Sequence, residues 1–155
     1  MTGGYEEILE GEAVQRKPPG ARHEIIRARL RDLVADAITA ATDLKLAATR
    51  SLLELSPGDW VHPDLTLIDV AAGSPYLVAE VIDARDHSPD TVVKKRLFET
   101  AQIPRVWMID PRYNNAEIYH ATPHGLALRG IFAGSEELTD GRLSQLHVTV
   151  DDLFA

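Results

Sequence analysis

Between Arg22 and Ala41 the apolar residues Ile26, Leu30, Leu33, Val34, Ala37 and Ile38 recur at three- and four-residue spacing. That period predicts a helix with one buried face. Upstream, Tyr5 to Arg16 reads as a short hairpin turning near Gly11, and Pro18-Pro19-Gly20 breaks the chain before the helix. Downstream the period shortens. Leu44 to Leu55 contains a predicted strand, closed by the turn Ser56-Pro57-Gly58-Asp59. Asp64 to Val70 and Tyr76 to Asp83 follow as two strands linked through Ala71-Ala72-Gly73-Ser74-Pro75. The second carries Leu77, Val78, Ala79, Val81 and Ile82 on both pleat faces, as a strand inside a sheet does.

Ser88-Pro89-Asp90 predicts a helix start: Ser88 caps, Pro89 suits the first helical position, and Asp90 complements the positive end of the dipole. This helix is expected to run to about Ala101, flanked downstream by a buried strand at Val106 to Asp110 and a turn at Pro111 to Asn115. Ala116 to His120 and Leu126 to Phe132 read as an antiparallel pair, and Leu146 to Phe154 as a strand with a short docking turn. The order predicts a mixed-sheet α/β (α+β) fold flanked by helices, with an αβββαβ core, an N-terminal hairpin and a C-terminal antiparallel β extension.

At 155 residues the chain fits one domain over 1–155, and that length buries roughly 70% of the unfolded surface. Zero Cys excludes disulfides and thiolate zinc sites. The longest apolar runs, such as Tyr76 to Ala79 and Val106 to Ile109, fall far short of the about 20 residues that span a bilayer. The acidic start Met-Thr-Gly-Gly-Tyr-Glu-Glu lacks the marks of a signal peptide, so a reducing cytoplasm is the expected setting. A net charge of −8 weighs against nonspecific nucleic-acid binding, which needs Lys and Arg. It leaves a nucleic-acid enzyme open, because carboxylates around a divalent metal carry charge that the metal cancels. Arg16, Lys17, Arg22, Arg27, Arg29 and Arg31 cluster early, and Lys94, Lys95 and Arg96 sit together; most read as solvated faces.

Two acids stand where packing alone does not want them. Asp64 opens a strand directly after Pro63, and Glu80 sits mid-strand on the pleat face of Val78 and Ile82. An ionised carboxylate in an interior is costly unless it is paired, hydrogen-bonded or metal-bound. The competing explanations are a turn-terminating Asp64 and a Glu80 paired with an Arg. Lys94 joins them by helix geometry. At about 100° per residue, Val93, Leu97, Phe98 and Ala101 define one arc that includes Lys94, while Lys95, Arg96 and Glu99 face water. An inward Lys must snorkel or find an acid, and Glu80 is the nearest candidate. A purely structural Glu80–Lys94 pair remains open. Together the three match phosphodiester hydrolysis, which wants a hard divalent cation such as Mg²⁺ or Mn²⁺ on oxygen ligands and a positive group near the attacking water.

Pro63-Asp64 followed by Glu80-Val81-Ile82 on the next strand resembles the PD-(D/E)XK nuclease pattern. The chain is similar, more specifically, to the Uma2 family of restriction-endonuclease-like proteins. Four segments carry the likeness: Ile8-Leu9-Glu10-Gly11-Glu12-Ala13-Val14, Pro18-Pro19-Gly20 with His23, Pro63-Asp64, and Val78-Ala79-Glu80-Val81-Ile82. A fifth and most specific segment runs from Asp90 through Lys94 and Phe98 to Ile103-Pro104, Trp107 and Ile109-Asp110-Pro111. The resemblance implies a restriction-endonuclease-like core, a divalent metal held by Asp64 and Glu80, and cleavage of nucleic acid. Ile82 occupies the place of the motif lysine, and the resemblance carries that role to Lys94. Two positions depart from the pattern: Asp83 replaces the usual Ser, and Phe98 replaces the usual Tyr. The first adds negative charge beside the site, and the second removes a hydroxyl.

His23 has helical spacing to Ile26 and Leu30 and faces inward, so core packing competes with a place beside the site. Glu12 and Glu24 are accessory candidates around a metal. His120 and His124 are four apart, but Pro123 and Gly125 make that stretch a turn; His62, His87 and His147 are isolated and need no function. A phosphate loop and a G-x-S-x-G elbow are both lacking, which argues against a P-loop NTPase or an α/β-hydrolase. The expectation is an Mg²⁺- or Mn²⁺-dependent nuclease acting on nucleic acid, DNA foremost, as a homodimer whose two sites serve both strands. The rival from another class is a noncatalytic binding or assembly module that keeps the nuclease fold.

Overall fold

The computed structural model describes residues 4–39, 43–83 and 90–155. The predicted cap residues Ser88 and Pro89, His87, and Ala40 and Ala41 at the predicted end of the first helix lie outside the described residues. The N-terminal hairpin forms from β1 (Tyr5–Leu9) and β2 (Glu12–Arg16). Glu10 and Gly11 both take positive φ at its tip (52° and 82°), the geometry of a two-residue type I′ connection. Next comes α1 (Ala21–Ile38), which buries His23, Ile26, Leu30, Val34 and Ala37 along the predicted stripe.

The predicted strand within Leu44 to Leu55 is two strands serving different sheets. β3 (Leu44–Leu46) pairs with β6 (Leu65–Asp69), whereas β4 (Leu53–Ser56) pairs with β5 (Asp59–Val61). Between them Arg50 adopts φ 51°, a left-handed conformation that turns the chain without glycine or proline. β5 also pairs with β1, so the hairpin grows into a four-stranded sheet of order β2-β1-β5-β4.

The main sheet runs β10-β9-β8-β7-β6-β3, with β7 (Ser74–Val81), β8 (Arg105–Asp110), β9 (Asn115–Thr122) and β10 (Gly125–Ala133). β7 and β8 pair in parallel, Glu80 opposite Met108, with α2 (Asp90–Thr100) as the crossover between them. The series α1-β3-β6-β7-α2-β8 realises the αβββαβ order, with the β4-β5 hairpin inserted. β11 (Glu137–Leu138) pairs with β12 (Val148–Thr149), and α3 (Val150–Phe154) docks behind a Thr149–Asp152 capping box. Among the described residues, no helix is long and apolar enough to cross a membrane.

Alternation along β7 divides the molecule into two apolar layers. Leu77, Ala79 and Val81 join Ile26, Leu30, Val34 and Trp107 on the α1 side. Val78 and Ile82 join Leu97, Phe98, Ile103 and Met108 on the α2 side, where Leu9 and Val61 of the four-stranded sheet also pack. Glu80 belongs to this second layer, as the face it shares with Val78 requires. Glu7 shares the β1 face of Leu9 and enters the same layer from the opposing sheet.

Candidate active site

Asp64 lies immediately before β6 rather than at its first residue. Its Oδ2 accepts a 2.8 Å hydrogen bond from the Val81 backbone N–H, which ties it to the end of β7. Glu80 reaches from the same strand, and Lys94 comes down from α2 to donate to Glu80 Oε1 at 3.0 Å. The three line one recess of about 60 Å³, together with His23, Tyr5, Arg16 and Asp83. That volume accommodates an ion with water rather than a drug-sized ligand.

The amine is shared. Lys94 Nζ also lies 2.9 Å from Glu7 Oε1, and Glu7 is 0% exposed. Arg16 Nε donates to the same Oε1 at 2.7 Å, and the His62 backbone N–H donates to Oε2 at 2.8 Å. Burial alone would raise the Glu7 carboxyl, but Lys94, the His62 amide and Arg16 outweigh it and hold it below the usual carboxylate range. Glu80 goes the other way. Burial pushes it up to about 7, the nearby Asp64 and Glu7 charges add to the rise, and Lys94 offsets only part of it. Burial alone would lower the Lys94 amine, yet the two carboxylates raise it, so it stays charged. One cation shared by two acids thus leaves Glu7 ionised and Glu80 able to hold a proton near neutrality.

Asp64 has a cationic side of its own. The Arg50 guanidinium lies 3.2 Å from Oδ1 and also bonds Glu24. His23 Nε2 stands 3.4 Å from Oδ2. Burial alone would lower the His23 pKa, but the Asp64 carboxylate prevails and the net shift is upward. Arg50 likewise holds Glu24 down at about 2 against the effect of its partial burial.

The donors fit a hard divalent cation. Asp64 Oδ1 is buried and accepts no hydrogen bond of acceptable geometry, while Glu80 presents a second carboxylate to the same recess. Among the described residues, no three His, Asp or Glu side chains gather for metal binding. A cation here would therefore draw on two carboxylates, main-chain carbonyls and water, a ligand pattern that suits Mg²⁺.

Asp64, Glu80, Lys94 and His23 thus converge. Glu12 does not: it is exposed on β2. Glu24 sits behind Arg50 rather than in the recess. Phe98 is fully buried in the apolar layer around Ile103 and Met108 and does not line the recess. Asp83 does line it. Of the basic residues expected on solvated faces, Arg16 is not there and Lys95 is half-buried. Arg16 is buried against Glu7, and Lys95 leans over the Tyr119 ring with Nζ 3.3 Å from the phenol oxygen. Glu7 and Arg50 were not singled out from the sequence. Glu7 alternates with Leu9 on one strand face, a signal available but short; Arg50 has no comparable mark.

Comparison with known proteins gives the family and the fold. The family model "Uma2: Putative restriction endonuclease" matches residues 4–151. No curated protein matches the chain. A crystal structure from Anabaena variabilis, described as a "putative nuclease" belonging to DUF820, is similar at TM-score 0.78 and 17% identity, covering 96% of this chain and 89% of that one. A cryo-EM DrdV–DNA complex is similar at TM-score 0.38 and 20% identity, covering 69% of this chain but 12% of that one.

Proposed function

Since the chain belongs to the Uma2 family of restriction-endonuclease-like proteins, we infer that it is a divalent-metal-dependent nuclease that hydrolyses phosphodiester bonds of nucleic acid, DNA foremost. Asp64 and Glu80 would hold Mg²⁺ or Mn²⁺, with a main-chain carbonyl at Val81 or Ile82 as a further ligand, and Lys94 would position the attacking water. The observation that carries the reading is the Lys94–Glu80 contact at 3.0 Å in a recess that Asp64 also lines. A bound cation would supply charge to polarise the phosphate and lower the pKa of water. The chain's own groups do the rest. Lys94 orients water and offsets developing negative charge. His23 steadies Asp64 from the α1 side. A homodimer would give one enzyme two sites for two strands.

Plasmid incubated with Mn²⁺ should be nicked or linearised by the native chain; Asp64→Ala should abolish this, and Lys94→Ala should slow it by about 100-fold or more. Equal cleavage by all three would refute the assignment. Light scattering of the native chain tests the dimer, and a monomer mass with or without DNA would remove it.

One observation favours a noncatalytic module instead. Asp64 and Glu80 already face protein cations, Arg50 and Lys94, and Asp83 adds a further acid at the recess. Calorimetric titration with Mn²⁺ separates the readings: no heat at millimolar metal supports the module.

A further inference from the structure

We propose that Glu7 is a positioning residue of this site, contributed by the four-stranded sheet, which fixes the orientation of the Lys94 ammonium by holding one of its three N–H bonds. The inference rests on the reading of Lys94 as the water-positioning group and extends it to a residue outside the αβββαβ core.

An ammonium on a four-carbon stem rotates freely and has three equivalent donors. Glu80 alone would hold one of them and leave two to wander. Glu7 Oε1 at 2.9 Å and Glu80 Oε1 at 3.0 Å take two. The third remains for the recess that Lys94 lines. Glu7 is suited to this task because it is itself immobilised. Arg16 Nε and the His62 backbone N–H fix its two oxygens separately, one from β2 and one from the residue after β5. Side chain and backbone groups from neighbouring parts of the four-stranded sheet therefore aim one carboxylate at an amine on α2, within the layer that both border. Neutralising Lys94 needs only a nearby charge, whereas Glu7 is fixed at both oxygens. The cost of burying and immobilising it completely is explained by what it does to the amine's direction.

Glu7→Gln keeps the side-chain volume and an oxygen for the His62 amide, and removes the charge that holds Lys94. Phosphodiester cleavage with Mn²⁺ should show kcat reduced by about 10- to 100-fold, less than the about 10²- to 10³-fold cost of losing an electrostatic donor outright, with KM unchanged within about twofold. In a Lys94→Ala background the same substitution should have no further effect, because Glu7 acts through Lys94. Multiplicative losses in the double variant would overturn the proposal, as would an unchanged kcat in Glu7→Gln.

A second measurement needs no catalysis. In ¹H–¹⁵N spectra of the lysine ammonium groups, Lys94 should give an ordered, slowly exchanging signal, assigned by its disappearance in Lys94→Met. Glu7→Gln should broaden it or make it exchange like surface lysines. A Lys94 signal already averaged in the native chain, or one untouched by Glu7→Gln, sinks the proposal; native protein inert on every nucleic acid but with the ordered signal sinks only the nuclease reading. If Glu7→Gln does not fold, Glu7→Asp, which keeps the charge and shortens the reach by one methylene, carries the same comparisons.

Discussion

Replacing Lys94 by Met removes the buried cation and leaves two acids that must be accommodated differently. Glu7 keeps Arg16 at 2.7 Å and the His62 amide at 2.8 Å, which still favour its ionised form. Glu80 loses its nearest cation and must rise above the value of about 7 that it has in the native protein. A carboxyl raised in the folded state stabilises fully below its unfolded value of 4.5 and loses that contribution as pH climbs to the folded value. Native stability should therefore drift down between about pH 4.5 and 7 on account of Glu80 and then level off. In Lys94→Met the decline should continue through neutrality at up to about 1.4 kcal/mol per pH unit, because folding still takes up a proton there. Between about pH 7 and 9 the variant should thus lose up to about 1.4 kcal/mol more than the native chain for each pH unit over which Glu80 keeps its proton, or roughly 3–6 °C in Tm per unit for a chain of this size. Urea unfolding of both proteins across that range, without divalent metal, gives the two curves. Parallel curves would show that Glu80 does not respond to Lys94, and the account of the cluster would be wrong.

Three further outcomes follow from single contacts. Arg50→Gln removes the guanidinium 3.2 Å from Asp64 Oδ1; Mn²⁺ should bind about three- to tenfold more tightly by calorimetry, at about 1–2 kcal/mol of stability from the lost charged hydrogen bonds to Glu24. Phe98→Tyr restores a hydroxyl inside an apolar layer at a fully buried position; chemical denaturation should show a loss of about 1–3 kcal/mol with no gain in cleavage. Thr149→Ala opens the capping box on α3, in which Thr149 Oγ1 accepts from the Asp152 amide at 3.2 Å, and should cost about 1 kcal/mol in the same assay.

Most of the core was legible because its elements are long and strongly patterned. The α1 stripe, the doubly apolar β7 and the inward place of Lys94 on α2 follow from periodicity that nothing in the tertiary structure opposes. Of the four-stranded sheet only the β1–β2 hairpin was legible, not β4 and β5. The latter two are three or four residues long, too short for a period to emerge, and the break before them is made by Arg50 at φ 51°. Glu7 was hidden for a related reason. On an isolated five-residue strand, Glu6 and Glu7 are indistinguishable by type, and only the docking of that strand over β7 decides which is buried. His23 could be assigned a face from the sequence but not a neighbour, because Asp64 reaches it through long-range pairing. Lys95 and Arg16 show the converse limit: a charged residue beside other charged residues reads as solvated until a ring or an acid from another strand covers it.

The parallel pairing of β7 with β8 has a consequence for how the protein is made. During synthesis Glu7, Asp64 and Glu80 all leave the ribosome before Lys94, and β8 follows later still. Until the crossover emerges, the nascent chain carries three acids bound for one interior without the amine that two of them share. Arg16 and Arg50 already accompany Glu7 and Asp64 by then, so Glu80 is the acid that waits for its cation, and the recess is closed by one of the last segments needed to complete it.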